Sequence, residues 1–505
     1  SNSVLQGLTI INGYTPQPGA AVYCDRAGPS IIDCRFRNNH TPDDSGGAVY
    51  CSSGSPVIHQ SLFEGNTALR GGAVASFQGD MKLTENTFIA NSAQLGGAVY
   101  SWSGLLNTEH CVFTQNTAED GGAVFNDDSE GTIADSIFVE NNTILDNWYH
   151  GGGGIFNNRS TLTIRDCVFT ANKSAWDGGA VENNRSSAVI DHCLFTDNQA
   201  LGNDGGAIFN VTQSDVVVTR CTFVSNRARS WGGAMRNRQN SPRIENSLFV
   251  GNDAVDNGGA IFNFFQSNPL IVNCTFVRNT AGGNDGGAMY SLNDCSPTVL
   301  NSIFWDNETP QVVDDNAVTQ VRFSRLAWPG EGNMDLPPQF IDPNGGDFRL
   351  DRTSPCIDAA SDVQINQDLD GNLRPWDCPW RDNIAGRGVD MGCYELVAVP
   401  ADLKINPQAI NTRSKGRSVR VTLVLPDGMP PEALDPDYPV LIQTVRGEIV
   451  PEKITFSVQK GRFVLEMSLQ QEFFENLGKG VTAASVTTRL LDGRFLAGTD
   501  TIRIK

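Results

Sequence analysis

Lysine is almost missing from the first three hundred residues, where only Lys82 and Lys173 occur, and no run of basic residues appears anywhere in the chain. With 57 Asp and Glu against 37 Lys and Arg, the net charge is −20. Nothing here offers a track for a phosphate backbone, so nucleic acid is excluded as an expected partner. There is no apolar stretch of about 18 residues, the length a helical membrane span needs. The five histidines show no metal-ligand spacing. Helical periodicity is also lacking over most of the chain. Ser1 is not preceded by a basic and apolar leader, and "SNSVLQGLTIINGY" already reads as part of a repeat. The expectation is that a leader or cap once preceded it, or that this end stacks on another copy, since an open sheet end exposes unpaired N–H and C=O groups.

What the chain has instead is a repeat. Gly-Gly followed by Ala and an aliphatic residue begins at Gly46, Gly71, Gly96, Gly121, Gly178, Gly205, Gly232, Gly258 and Gly286, with a variant at Gly152 and a degenerate copy at Gly19. Each copy is followed by Phe-x-x-Asn, with phenylalanines at Phe36, Phe63, Phe88, Phe113, Phe138, Phe169, Phe195, Phe223, Phe249, Phe276 and Phe304. Both markers advance by 25 to 28 residues, except for one step of 31 around Trp148. Within a period, three short β-prone segments are separated by Asn, Gly, Ser and Asp. Three short strands per turn make a triangular coil. The expected fold class is therefore all-β: a right-handed parallel β-helix of about eleven coils, roughly 50 Å long, with a C-terminal cap and a small β-sandwich. Phe should stack inside, with an Asn ladder at one corner and a second ladder at Asn126, Asn157, Asn183, Asn210, Asn237 and Asn263. The first glycine of each pair should supply a positive φ. The expected domains are 1–310, the coils; 311–396, a closing segment; and 397–505, where "SVRVTLVL", "RFVLEMSL" and "DTIRIK" alternate like half-buried strands.

The paired GGA(I/V) and FxxN repeats resemble those of chlamydial polymorphic outer-membrane proteins and of β-helix surface proteins of environmental bacteria, over roughly residues 7–310. That resemblance implies fold and surface location, and little about activity. The stretch "PPQFIDPNGGDFRL…SPCIDAA…DLDGNLRP…VDMGCYEL" in residues 337–396 looks like the choice-of-anchor segment that closes secreted bacterial β-helix proteins. The remainder is similar to an immunoglobulin-like module of extracellular bacterial proteins. "VQKGRFVLEM" stands where relatives carry an acidic calcium loop, so the resemblance does not bring calcium to that module.

Cys34, Cys111, Cys167, Cys193, Cys221 and Cys274 lie two residues before the repeat Phe, hence on the inward face. Parallel Cβ vectors about 4.8 Å apart read as stacked thiols rather than disulfides. Cys24 and Cys51 are equivalent in adjacent coils. Outside the ladder, Cys378 is the candidate to pair with Cys393 or Cys356.

No residue can be assigned a catalytic role from the sequence. The best charged cluster gathers Arg159, Arg185, Arg229, Arg236 and Arg238 near Glu182 and Asp177, and reads either as a site or as solvated surface charge. Asp177, Asp204, Asp256 and Asp285 sit just before Gly-Gly, where they could line a hydrolase groove or simply form turns. Calcium is the one cofactor with candidate ligands, Asp368 and Asp370 in "DLDG", against the reading of a tight turn. The insertion "TILDNWYH" widens one corner to ten residues. Trp148 and Tyr149 there, with Trp176 and Trp231 on the same edge, could form sugar platforms or cover an apolar face. The position after Gly-Gly-Ala-aliphatic carries Tyr100, Phe125, Glu182, Phe209, Arg236 and Phe262, and alternation sends it outward. The resulting aromatic strip should be covered by a partner, another copy or the chain's own loops. The leading expectation is a non-enzymatic extracellular or cell-surface structural or adhesive protein that self-associates or binds another surface protein. The runner-up is a carbohydrate-active enzyme or glycan-binding β-helix acting on polysaccharide.

Overall fold

The structure is a computed structural model, and it describes residues 3–144, 151–283, 285–375, 388–410, 418–444, 447–451, 453–459, 461–470, 479–492 and 494–505. The chain divides into two compact units. The first comprises residues 1–336, 367–371 and 391–393; the second comprises 337–366, 372–390 and 394–505.

The first unit is a parallel β-helix. Its three long sheets hold 13, 12 and 12 strands, every neighbouring pair parallel and one coil apart. One sheet runs from Val22–Asp25 to Val312–Asp315 and carries the strand after each Gly-Gly; a second, from Thr9–Ile11 to Ile303–Trp305, carries the repeat Phe; the third runs from Val4–Gln6 to Gln320–Arg322. A fourth sheet of seven two-residue strands, Thr117–Ala118 to Thr280–Ala281, follows the ladder Asn. The stack passes the expected boundary at residue 310, because Val312–Asp315 and Gln320–Arg322 pair in register without either sequence marker. Strands of the three long sheets stay at three to five residues because residues in the left-handed region bound them, among them Glu85, His110, Arg159 and Ala171 with φ of 49° to 55°.

The interior is ordered in ladders. Ring centroids of the repeat phenylalanines, Phe36 to Phe304, lie 4.6 to 4.9 Å apart and nearly parallel. Beside them the buried thiols fill small gaps: Cys221 Sγ donates to the carbonyls of Ile190 at 3.4 Å and Thr219 at 3.2 Å. Each ladder Asn is fully engaged. Asn198 Oδ1 accepts the N–H and the Nδ2–H of Asn172, both at 3.0 Å, while its own Nδ2 donates to Asn226 Oδ1 at 3.0 Å and to the Phe169 carbonyl at 2.9 Å. The second ladder runs amide to amide from Asn126 to Asn263. At the C-terminal end of the stack the Arg325 side chain donates to the Phe304 carbonyl at 2.6 Å and lies 4.3 Å over the Trp305 ring, so that one backbone acceptor a next coil would have paired is satisfied.

The second unit contains a hairpin, Phe340–Asp342 with Asp347–Leu350, and two larger sheets. A sheet led by the long pair Gly480–Arg489 and Phe495–Ile504, and a four-stranded antiparallel sheet around Ser418–Val424 and Arg462–Gln470, share one apolar core that includes Leu403, Val421, Leu465, Val486 and Ile502. Among the described residues there is no α-helix.

Candidate functional site

Among the described residues of the β-helix unit, the Gly-Gly corner gathers most of the buried charge: Asp120, Asp177, Glu182, Asp204 and Arg236. The first glycine of each pair has φ between 59° and 70° from Gly46 to Gly286, and a Cβ on it would strike the carbonyl of the aliphatic residue three positions on. The second is pressed against the backbone of the next coil, as Gly206 is against Gly233. This tight corner brings the residue before Gly-Gly back over the outer face of the following strand. Two columns result. The corner column reads Arg70, Leu95, Asp120, Gly151, Asp177, Asp204, Trp231, Asn257 and Asp285, linked by bridges and by amide bonds such as Gly121 N–H to the Gly151 carbonyl at 3.1 Å. The strand column reads Tyr50, Ala75, Tyr100, Phe125, Phe156, Glu182, Phe209, Arg236, Phe262 and Tyr290.

A corner residue meets the strand residue of the next coil. Trp231 stacks on Phe262 at 5.1 Å, Asp204 pairs with Arg236, and a Cβ on Gly151 would run into Glu182 Oε2. The strand column is therefore outside the core, as alternation requires, yet it is not an open strip. Ala75, Tyr100, Phe125 and Phe156 form their own cluster with Leu95 and Trp102, apart from the core that holds Val74, Val99 and Val124. Tyr100, Phe125, Phe209 and Phe262 are 1 to 5 % exposed. Of the three covers expected for this stripe, the chain's own corner residues supply one, so these four rings present no free surface for glycan or partner.

Glu182 and Arg236 are 2 % and 4 % exposed and Asp177 is buried, which corrects the reading of solvated surface charge for these three members of the cluster. The Arg236 guanidinium is enclosed by Phe209, Trp231, Phe262 and Phe264 at 5.0 to 5.9 Å and is ion-paired to Asp204. Burial lowers its pKa to about 10, opposed by the charge of Asp177. The two corner aspartates work along the column: Asp177 Oδ1 accepts the Asp204 N–H at 3.0 Å and Asp204 Oδ1 accepts the Trp231 N–H at 3.1 Å. Burial pushes Asp177 up to about 6 against the pull of Arg236. Glu182 is raised well above the usual carboxylate range, first by burial and then by the charges of Asp177 and Asp120, and its Oε2 meets no hydrogen-bond donor.

The remaining candidates fall elsewhere. Arg159 is a surface group paired with Asp127 and Asp128, each at 2.8 Å. Arg185 and Arg229 are exposed and Arg238 is half-buried. Asp256 is exposed and does not stand in the corner column, where Asn257 takes its place; Asp285 does. Trp176, next to Asp177 in sequence, and Trp231, within the corner column, are half-buried, whereas Trp148 and Tyr149 lie outside the described residues. Asp368 is buried and its carbonyl accepts the Gly371 N–H at 3.2 Å, which is a tight turn; Asp370 is exposed. Cys356 and Cys393 are buried, and Cys378 lies outside the described residues. One group escaped the sequence reading: Glu109, His110 and Asp135 bring ligand atoms within 4.8 Å of one another on an exposed corner. Register alone reveals it, since Glu109 and Asp135 are far apart in sequence and neighbours only across coils. Arg165 already stands 3.6 Å from Asp135.

A family model described as a right-handed β-helix region matches residues 1–136 and 130–223. With the coil stack, that makes the chain a right-handed parallel β-helix repeat protein. No curated protein matches it.

Proposed function

We propose that this chain is an extracellular or cell-surface structural or adhesive β-helix protein, whose coil stack presents its corners to a second copy or to another surface protein. The carrying observation is the contrast between its inside and its edge. Phe, Asn and Gly-Gly recur coil after coil, while the residues most suited to chemistry, Glu182, Asp204 and Arg236, are closed in and serve the rod's own column. Stacked ladders make a scaffold that holds whatever its variable corners carry. In this reading residues 311–396 include a closing segment of the choice-of-anchor kind and 397–505 an immunoglobulin-like module. Gold labelling of intact source cells with antibody to the chain, imaged by electron tomography, tests it. Label over the envelope or on fibres is the expected outcome, and label confined to the cell interior overturns the proposal.

A second reading, a carbohydrate-active β-helix, draws on one observation. Glu182 is pushed well above the usual carboxylate range next to Asp177, which is raised to about 6, and a split between neighbouring carboxyl groups is how glycosidases separate acid from base. Release of new sugar ends from a polysaccharide panel by the wild-type chain, lost in Glu182→Gln, would favour it.

A further inference from the structure

The corner column carries opposite solutions to one electrostatic problem. At the level of Asp204 and Arg236 a buried carboxylate faces a buried guanidinium, and the charges match. Two levels earlier the facing pair is Gly151 and Glu182, so the corner contributes no side chain at all. Above and below Gly151 in the same column stand Asp177 and Asp120, 9 % and 5 % exposed. Glu182 reaches into this level: its Oε2 and the Asp177 carbonyl oxygen both occupy the place that a Cβ on Gly151 would need. Among the described residues no cationic side chain meets the Glu182 carboxyl, and Oε2, fully buried, accepts no hydrogen bond. Leaving such an oxygen unmatched in a closed site is costly, which a bound cation would relieve.

We infer that Asp120, Asp177 and Glu182, with the Asp177 carbonyl, form a site for a hard divalent cation, calcium, seated at the level of Gly151. Spacing supports the choice of ion. Coils are about 4.8 Å apart, so a cation at the Gly151 level sits about 4.8 Å along the axis from the aspartates on either side. The Asp120 side chain turned toward that level closes this distance to the roughly 2.3 to 2.6 Å of a calcium–oxygen bond, while Asp177, whose Oδ1 accepts the Asp204 N–H, offers its carbonyl oxygen from the other side. Magnesium demands about 2.0 to 2.1 Å and strict octahedral order, which a fixed coil spacing serves poorly. All the offered atoms are oxygen, so zinc and copper have no nitrogen or sulfur ligand here. Glycine at position 151 is part of the site, because a side chain there would displace the two oxygens offered to the ion, Glu182 Oε2 and the Asp177 carbonyl.

The test uses the whole chain stripped with EDTA and titrated with calcium chloride, followed by isothermal calorimetry and by terbium luminescence excited through tryptophan. Expected are saturable calcium binding in the millimolar range or tighter, weaker binding of magnesium, and a loss of roughly tenfold or more in affinity in Asp120→Asn and in Glu182→Gln. Asp135→Asn, at the exposed corner cluster, should bind as the wild type does. If Glu182→Gln does not fold, Asp120→Asn alone decides. Absence of calcium binding by the wild type, or binding that persists unchanged in Asp120→Asn, overturns the inference. So does a loss confined to Asp135→Asn, which would place the ion at the other cluster. None of these outcomes bears on surface location, so failure here leaves the proposed function to its own test.

Discussion

Truncating one ladder asparagine should weaken the rod by more than its size suggests, and Asn198→Ala is the cleanest case. The side chain is fully buried and makes four hydrogen bonds at 2.9 to 3.0 Å. Removing it strips the acceptor from two buried donors, the N–H and Nδ2–H of Asn172. It also takes one donor from the Phe169 carbonyl and one from Asn226 Oδ1, although the latter keeps the Asn198 N–H at 3.0 Å. Two donors stranded at about 1 to 3 kcal/mol each, less what an entering water restores, give a loss of about 3 to 5 kcal/mol. Asn198→Asp should lose at least as much, because a second oxygen would then face the Phe169 carbonyl and Asn226 Oδ1 in a site closed to water. Urea unfolding followed by circular dichroism, with the slope checked for constancy, reads both changes as a fall in midpoint. A loss below about 1 kcal/mol for Asn198→Ala would refute the idea that the ladder is a satisfied network whose members depend on one another.

Other outcomes follow from the same physical picture. Arg236→Met alone should cost about 3 to 5 kcal/mol by stranding the Asp204 carboxylate, whereas Arg236→Met with Asp204→Asn should recover most of that; equal losses in the two would refute the pairing. Gly206→Ala should fail to give folded protein on expression, since its Cβ would drive into the Gly233 carbonyl of the next coil, and a wild-type melting curve would contradict this. In the second unit, Asp390 is held well above the usual carboxylate range by burial and by the charge of Glu395. A carboxyl with a raised folded pKa favours the folded state below its unfolded pKa and loses that advantage as pH rises toward the folded value. Amide exchange protection at Asp358 and Leu396, which donate to Asp390 at 2.8 and 2.6 Å, should therefore decline as pH rises above the unfolded carboxylate value of about 4, and protection rising with pH there would contradict it. Alkylation of the native chain should spare Cys111, Cys167, Cys193, Cys221 and Cys274, all at most 2 % exposed, and label them only after denaturation, as read by peptide mass spectrometry.

The coil, its inward Phe and its Asn ladders were legible because each depends on a residue type repeated in every period. Less legible were the corners, where Glu85, His110, Arg159 and Ala171 adopt left-handed conformations that none of them favours locally; stacking, not propensity, holds them there. The last strands, Val312–Asp315 and Gln320–Arg322, were missed for a related reason: they pair with an existing template and need no signature of their own. Glu182 and Arg236 were rightly sent outward by alternation, which separates the two faces of a strand but is blind to what folds back over either. Their burial comes from the Gly-Gly corner, and no pattern within one period reveals that Asp204 will meet Arg236 of the following coil.

Whether the rod is a scaffold or a catalyst is tested most directly by incubating the purified chain, with and without calcium, with a panel of neutral and uronate polysaccharides. Products are followed by new reducing ends and by absorbance of unsaturated uronates. A structural or adhesive rod leaves every polymer at its starting length, including any it binds. Cleavage of one polymer by the wild-type chain, abolished in Glu182→Gln while the coil spectrum is retained, would contradict the scaffold reading and make the buried carboxyl at the Gly151 level a catalytic group.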